Sequence, residues 1–318
     1  MDYFQAALNN DTETIIDYLK SGNVNIVDTK GASLLHYAAR GNAMEVAKIL
    51  ITNYINLNIC DQNGETALFE VVRTAKLGFI KLLLRYHADL NIINRYGETL
   101  LFRAIMKGNQ AVMDLLLENG DYDLSITNLN GENLLFYALK AQNNDLFIKY
   151  ATNYPHLLKT CDYYGCNLLM KAIYHQNLEI VMFILKQTNN YYYCDKNLNN
   201  IFFYAARYGN YEIVKFLLDL KPILSGFNKD KEDIMSVAFK NTYDVTYLFD
   251  NYLHSSEYKF YLRTYPFHAA VVARNYDLLD CCNIDIKKRD MFNISLLEYI
   301  KFVNDDYINK LFKLPSFQ

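Results

Sequence analysis

Cysteine is the residue of this sequence most suited to metal binding or nucleophilic chemistry, so its six copies come first. Three of them directly precede an aspartate, which indicates one recurring packing position: Cys60, Cys161 and Cys194. Cys161 and Cys166 are five residues apart, and Cys281 and Cys282 are adjacent. Neither spacing matches the Cys-x-x-Cys pairs of zinc and redox sites. We expect free thiols in a reducing compartment.

Histidine gives no catalytic pattern either. The six histidines are dispersed, and no nucleophile, base and orienting carboxylate share a recognisable spacing, although His175 could face a binding groove. Phosphate-binding glycine loops, His-Glu-x-x-His and Gly-x-Ser-x-Gly are missing from the sequence. We therefore expect no catalytic residue, no metal and no cofactor. An enzyme would need residues that no motif reveals.

The elements that would position any site come from an internal repeat. Similar blocks such as GASLLHYAARG and GETLLFRAIMK recur every 33 or 34 residues. They begin at Gly31, Gly64, Gly97, Gly131 and Gly165. Second apolar segments follow at 44–50, 79–84, 112–117, 179–185 and 212–218. A period of this length with two apolar segments predicts two short helices per repeat.

These blocks resemble the ankyrin repeat family, whose pattern runs D-x-x-G-x-T-P-L-H-x-A-A before a second helix. Ser33, Thr66 and Thr99 match the threonine position, where a hydroxyl can cap the first helix. The histidine of the pattern occurs at His36 and His268, whereas most repeats have Phe or Met there. The resemblance implies an all-α ankyrin repeat solenoid of about ten helix-turn-helix units with terminal capping units.

The resemblance covers nearly the whole chain and weakens after residue 219. We place Leu198, Asp230 and Asn293 at the glycine position of the later repeats. The expected organisation is a single solenoid, and its segments are an N-terminal cap at 1–27, regular repeats at 28–226, degenerate repeats at 227–286 and a C-terminal cap at 287–318.

Composition limits the function. The chain has 318 residues, 52% hydrophobic, and a formal net charge of -3, so no global positive field draws it to nucleic acid or anionic lipid. The N-terminus has no signal-peptide pattern, and no apolar run reaches the ~18–20 residues of a membrane span. We expect a cytoplasmic monomer without membrane attachment.

The resemblance implies a binding face made of the turn tips and the exposed side of the first helices. In this register, basic residues and tyrosines dominate that face, with Glu70 as the one acid among its helix positions. The candidate partner-binding residues are Tyr37, Arg40, Arg73, Arg95, Tyr96, Arg103, Lys107, Tyr137, Lys140, Tyr163, Lys171, Tyr174, Tyr204, Arg207 and Tyr208.

Tyr and Arg are enriched at binding hot spots, so we expect a protein partner with an acidic or aromatic contact surface. Ankyrin-like chains act as adaptors, inhibitors, immunity proteins or effectors, which favours a module without enzymatic activity. The alternative is binding of nucleic acid or another polyanion along the basic, Tyr-bearing groove. Glu65, Glu98 and Glu132 border that groove and would oppose phosphate.

Overall fold

The computed structural model confirms an all-α fold. It describes residues 2–120, 122–188, 191, 193–224, 226–241, 243, 245–256, 259, 263–273, 279, 284–290, 295–303 and 306–313. Within these ranges we number nineteen α-helices and find no β-strand. Contacts divide the chain into two compact units, residues 1–143 and 144–318.

Unit 1 contains four complete helix pairs and the first helix of a fifth. Its helices are α1 (Tyr3–Leu8), α2 (Thr12–Leu19), α3 (Leu34–Gly41), α4 (Met44–Thr52), α5 (Ala67–Arg73), α6 (Leu77–Arg85), α7 (Leu100–Lys107), α8 (Gln110–Asn119) and α9 (Leu134–Lys140). The first helices α1, α3, α5, α7 and α9 pack side by side, and each of the first four also packs on its own second helix. Helices α1 and α2 lie within the segment 1–27 that is expected to be the N-terminal cap.

Unit 2 continues the alternation of first and second helices. It contains α10 (Asn144–Asn153), a 3₁₀ helix (Pro155–Lys159), α11 (Leu168–Tyr174), α12 (Leu178–Gln187), α13 (Ile201–Tyr208), α14 (Tyr211–Asp219), α15 (Ile234–Ala238), α16 (Thr246–Leu253), α17 (Pro266–Ala273), α18 (Leu296–Val303) and α19 (Asp306–Leu311). The first helices α11, α13 and α15 pack in series, as do the second helices α10, α12, α14 and α16. The repeat count and the four predicted segments stay predictions.

Small and large apolar side chains divide the core between them. In α3, Ala38 and Ala39 are fully buried and allow close approach of neighbouring first helices. Phe69 and Phe136 are buried where the repeat pattern has histidine. At these positions apolar packing of a phenylalanine ring takes the place of a histidine side chain.

His36, which keeps the histidine of the pattern in the first full repeat, forms polar contacts through both ring nitrogens. Nδ1 of His36 accepts a hydrogen bond from the backbone N–H of Ser33 at 3.1 Å, and Nε2 lies 2.9 Å from the carbonyl oxygen of Glu65. Burial lowers the pKa of His36. A neutral ring with its proton on Nε2 satisfies both contacts.

The predicted capping position is right, but its chemistry differs between repeats. Ser33, Thr66 and Thr99 each precede a first helix in an extended conformation. No cap hydrogen bond reaches Thr66 or Thr99, and Oγ1 of Thr66 is buried without a partner among the described residues. Asparagine performs this role elsewhere: Oδ1 of Asn167 accepts from the amide of Met170 at 2.9 Å.

Each repeat opens with a tight turn that requires a positive φ. Gly97 has φ 76°, and a Cβ on it would lie 2.9 Å from the backbone nitrogen of Leu129 in the next turn. Glycine therefore permits both the left-handed backbone and the close approach of successive turns.

Two residues with side chains occupy the glycine position in unit 2. Leu198 has φ 63°, as expected from its register, and Lys231 has φ 60°. The amide of Lys231 closes the turn on the carbonyl oxygen of Asn228 at 3.0 Å. The prediction that Asp230 holds this position is therefore wrong by one residue. Asn293 lies outside the described residues.

Candidate functional site

Backbone hydrogen bonds join the tips of successive turns into a ladder. In unit 1 the amide of Arg95 donates to the carbonyl oxygen of Asn63 at 2.8 Å, and the amide of Leu129 donates to that of Tyr96 at 2.9 Å. In unit 2 the amide of Lys196 donates in the same way to Tyr164 at 2.9 Å. The tips are therefore held at fixed spacing, and their side chains project from an ordered backbone.

Large apolar side chains stand on these tips in solvent. The exposed fractions are 56% for Tyr96, 73% for Leu129, 65% for Tyr163 and 62% for Tyr164. Nζ of Lys196 lies 4.3 Å from the ring centroid of Tyr163. Within each unit, exposed aromatic or aliphatic side chains on hydrogen-bonded tips form a surface suited to contact with another macromolecule.

The basic residues on the first helices of unit 1 are held by carboxylates of the same unit. Nη2 of Arg103 lies 2.6 Å from Oε1 of Glu65 and 2.9 Å from Oε2 of Glu98. Nζ of Lys140 lies 2.7 Å from Oε2 of Glu132. These cations were expected to be available to a partner, whereas three acids at the turns already neutralise them.

Glu70 anchors the remaining arginines of this helix row. Its Oε1 lies 2.5 Å from Nη2 of Arg73 and 3.7 Å from Nε of Arg40. The guanidinium of Arg40 also lies 5.2 Å from the ring centroid of Tyr37, whose hydroxyl donates to Asp28 at 2.8 Å. Glu70 was expected to be exposed, but it is buried.

Tyr137 is a further correction to the predicted face. It is 5% exposed, so the expectation that it lies on the exposed side of its helix is wrong. Its ring stacks on Phe102 with centroids 4.5 Å apart, and its hydroxyl donates to Oε1 of Glu98 at 2.7 Å and accepts from Nδ2 of Asn128 at 3.0 Å. Burial, followed by the hydrogen bond to Glu98, raises the pKa of Tyr137 well above its usual range. The residue joins two repeats internally.

In unit 2, two of the predicted binding residues also form contacts within their own unit. Nζ of Lys171 lies 2.8 Å from Oδ2 of Asp162, and the hydroxyl of Tyr204 donates to Oδ2 of Asp195 at 3.0 Å. The hydroxyl of Tyr204 also lies 2.8 Å from Sγ of Cys166. These contacts lock first helices onto the turns before them.

Other predicted residues of unit 2 remain at the surface. Tyr174 is exposed, and its ring centroid lies 5.0 Å from that of Tyr208, which is half-buried. Arg207 is also half-buried. Together with the exposed Tyr163, they leave an aromatic surface with a basic residue nearby.

The candidate face of unit 1 contains a cleft of about 560 Å³. It is lined by Arg73, Tyr96, Glu98, Arg103, Met106, Lys107, Asn128, Leu129, Asn130, Glu132, Tyr137 and Lys140. Of its four cations, Lys107 is exposed and forms no ion pair with any described residue. Met106 and Leu129 are exposed beside it. Leu129 could have been recognised from the sequence, because it is an apolar residue at a tip position that the preceding repeat fills with Arg95.

The described cysteines show no sign of an activated thiol. Burial raises the pKa of the Cys166 thiol to about 11, which makes it a poor nucleophile. Cys60, Cys161, Cys166 and Cys194 are not in disulfide bonds, and Cys60 is exposed although packing was expected. Among the residues that the structure describes, no three His, Cys, Asp or Glu side chains form a metal-binding group. No described helix is long and apolar enough to span a bilayer.

The fold defines a helical repeat protein built from paired helices and turns whose tips are joined by backbone hydrogen bonds. A family model for ankyrin repeats (3 copies) matches residues 3–94, 53–128, 71–150, 101–200 and 135–233. These matches cover well over half of the chain, so it belongs to the ankyrin repeat family. No curated protein matches it. Ankyrin repeats generally mediate protein–protein interaction, and the family is typically non-enzymatic.

Proposed function

We propose that this chain is a non-enzymatic protein-interaction module that binds its partner along the turn tips and the exposed side of the first helices. The observation that carries the proposal is that both units have exposed apolar side chains on hydrogen-bonded tips: Tyr96 and Leu129 in unit 1, and Tyr163 and Tyr164 in unit 2. Desolvation of such side chains supplies binding energy, and their ordered backbone lowers the entropic cost of association.

The revised face favours a partner with apolar or aromatic contacts and local acidic groups. In unit 1, Arg103 and Lys140 are already paired, so their charges give orientation more than a long-range attraction. Arg95 and Lys107 are exposed and form no ion pair with a described residue, so they are the basic side chains that a partner would meet unpaired.

Site-specific photo-crosslinking tests this proposal. A photoreactive phenylalanine analogue replaces Tyr96 or Tyr163 in the full chain, and the matched control replaces Tyr54, which is 91% exposed and follows the second helix α4. In extract of the cells that express the protein, we expect the same partner to be crosslinked from Tyr96 and Tyr163 and not from Tyr54. Equal yield from Tyr54, or crosslinks to nucleic acid alone, would contradict the proposal.

A further inference from the structure

The cleft of unit 1 has its charges arranged in two layers. Three lining cations, Arg73, Arg103 and Lys140, have side chains that are 28–44% exposed. The carboxylates paired with them are 6–15% exposed: Glu98 and Glu132, which line the cleft, and Glu65 and Glu70, which do not. The acids therefore lie beneath and the bases face solvent. A group that enters the cleft meets cations first.

This arrangement of charges favours a small anion that enters the cleft over a polyanion that stays above the surface. The ion pairs of Arg73, Arg103 and Lys140 span 2.5–2.9 Å, so at about 8–10 Å, the screening distance of physiological salt, each pair is close to neutral. A polyanion passing over the surface would gain little, because its affinity depends on neutralising many phosphates. A single carboxylate inside the cleft would contact the exposed cations individually.

Two lining cations have donors to offer. Lys107 ends α7, is exposed and has no ion pair among the described residues. Arg103 makes both of its ion pairs through Nη2, and no hydrogen bond to a described residue uses Nη1. A carboxylate can accept from both a lysine ammonium and an arginine guanidinium.

The rim next to these donors is apolar. Met106 is 43% exposed, and Leu129 and Tyr96 stand on the two tips that border the cleft. An occupant that carried only charge would leave these side chains in water. An occupant with a large apolar side chain beside its carboxylate would cover them.

We propose that this cleft is the docking site for an acidic segment of the partner protein, in which an Asp or Glu lies next to a large apolar residue. The carboxylate would contact Lys107 and Arg103, and the apolar side chain would contact Met106 and Leu129. This inference rests on the proposed protein-binding function and names the chemistry of the segment that unit 1 recognises.

Peptide display followed by titration tests the inference. Random 12-residue peptides are selected on the full chain, and one selected peptide, labelled with fluorescein, is titrated by fluorescence polarisation. We expect Asp or Glu beside Leu, Ile, Phe or Tyr to be enriched. Lys107→Glu should weaken binding of the labelled peptide about fivefold, since charge reversal replaces an exposed attraction with repulsion.

Lys81→Glu is the matched control, because Lys81 is an exposed lysine on α6 without an ion pair to a described residue, and it does not line the cleft. It should change the affinity less than about twofold, in line with a distant and screened charge. Lack of acidic enrichment, equal effects of the two reversals, or displacement of the peptide by poly(U) RNA would overturn the inference. Crosslinking from Tyr96 to a protein partner would still succeed in that case, so failure here is distinguishable from failure of the proposed function.

Discussion

Removal of one hydroxyl group tests whether the inward-facing network of unit 1 is structural. Tyr137→Phe keeps the ring on Phe102 and deletes only the group that bridges Glu98 and Asn128. Tyr96→Phe is the matched control, since Tyr96 is exposed and its hydroxyl makes no hydrogen bond to a described residue. Both substitutions remove the same atom from the same residue type.

The expected loss follows from the two contacts. A hydrogen bond to a charged group contributes about 1.5–3 kcal/mol to stability, and one between neutral groups about 0.5–1.5 kcal/mol. Glu98 retains Arg103, and Asn128 retains Glu132 as a partner at 2.9 Å, so neither group is orphaned. We therefore expect Tyr137→Phe to lower the free energy of unfolding by about 2 kcal/mol.

Urea denaturation followed by circular dichroism measures this change through the midpoint at constant slope. We expect Tyr96→Phe to shift the free energy of unfolding by less than about 0.5 kcal/mol, as is usual for surface substitutions. A loss below about 0.5 kcal/mol for Tyr137→Phe, equal to that of the control, would refute the assignment of Tyr137 to an internal network.

Three further predictions concern stability and reactivity. Burial lowers the pKa of His36 below its unfolded value of about 6.5, so the stability contributed by the neutral ring is complete above that pH and declines as pH falls below it. His36→Phe should therefore reduce the fall in urea midpoint between pH 7 and pH 5. An equal fall in the wild-type chain and in the variant would contradict the assignment. Gly97→Ala should cost more than about 2 kcal/mol by urea denaturation, because it adds backbone strain and a clash, whereas Gly108→Ala, with φ 61° and open space around its Cβ, should cost about 1 kcal/mol. At pH 8 iodoacetamide should alkylate exposed Cys60 well before Cys166, whose pKa of about 11 leaves about one thiolate in a thousand; equal rates by mass spectrometry would be inconsistent with the burial of Cys166.

The repeat itself could be predicted because its signals are local. Each repeat has a glycine for the turn, a capping residue and two apolar segments at nearly constant spacing. The structure has helices at the apolar segments, as this pattern predicts. The prediction at Asp230 was wrong because the turn requires a positive φ, which residues other than glycine can also adopt. Here Lys231 adopts it. Spacing alone located the turn residue correctly at Leu198, where the glycine is also lost, but missed Lys231 by one residue.

The helix positions of the basic residues could be predicted from the sequence, but their ion pairs with acidic residues could not. Arg103 and Lys140 occupy outward positions of their helices, yet their availability depends on Glu65, Glu98 and Glu132 at the turns. Those contacts join residues up to 38 positions apart, and side-chain reach across repeats decides them. The sequence predicted acids beside the groove without predicting that they neutralise its bases.

Hydroxyl-radical footprinting of the chain, free and bound to its crosslinked partner, tests the central claim most directly. It measures the solvent exposure of individual side chains. We predict that oxidation of Tyr96, Met106 and Leu129 falls in the complex, while that of Tyr54 and of Tyr86, an exposed residue directly after α6, is unchanged. Protection of Tyr54 and Tyr86 with Tyr96 and Leu129 still fully oxidised would contradict the claim.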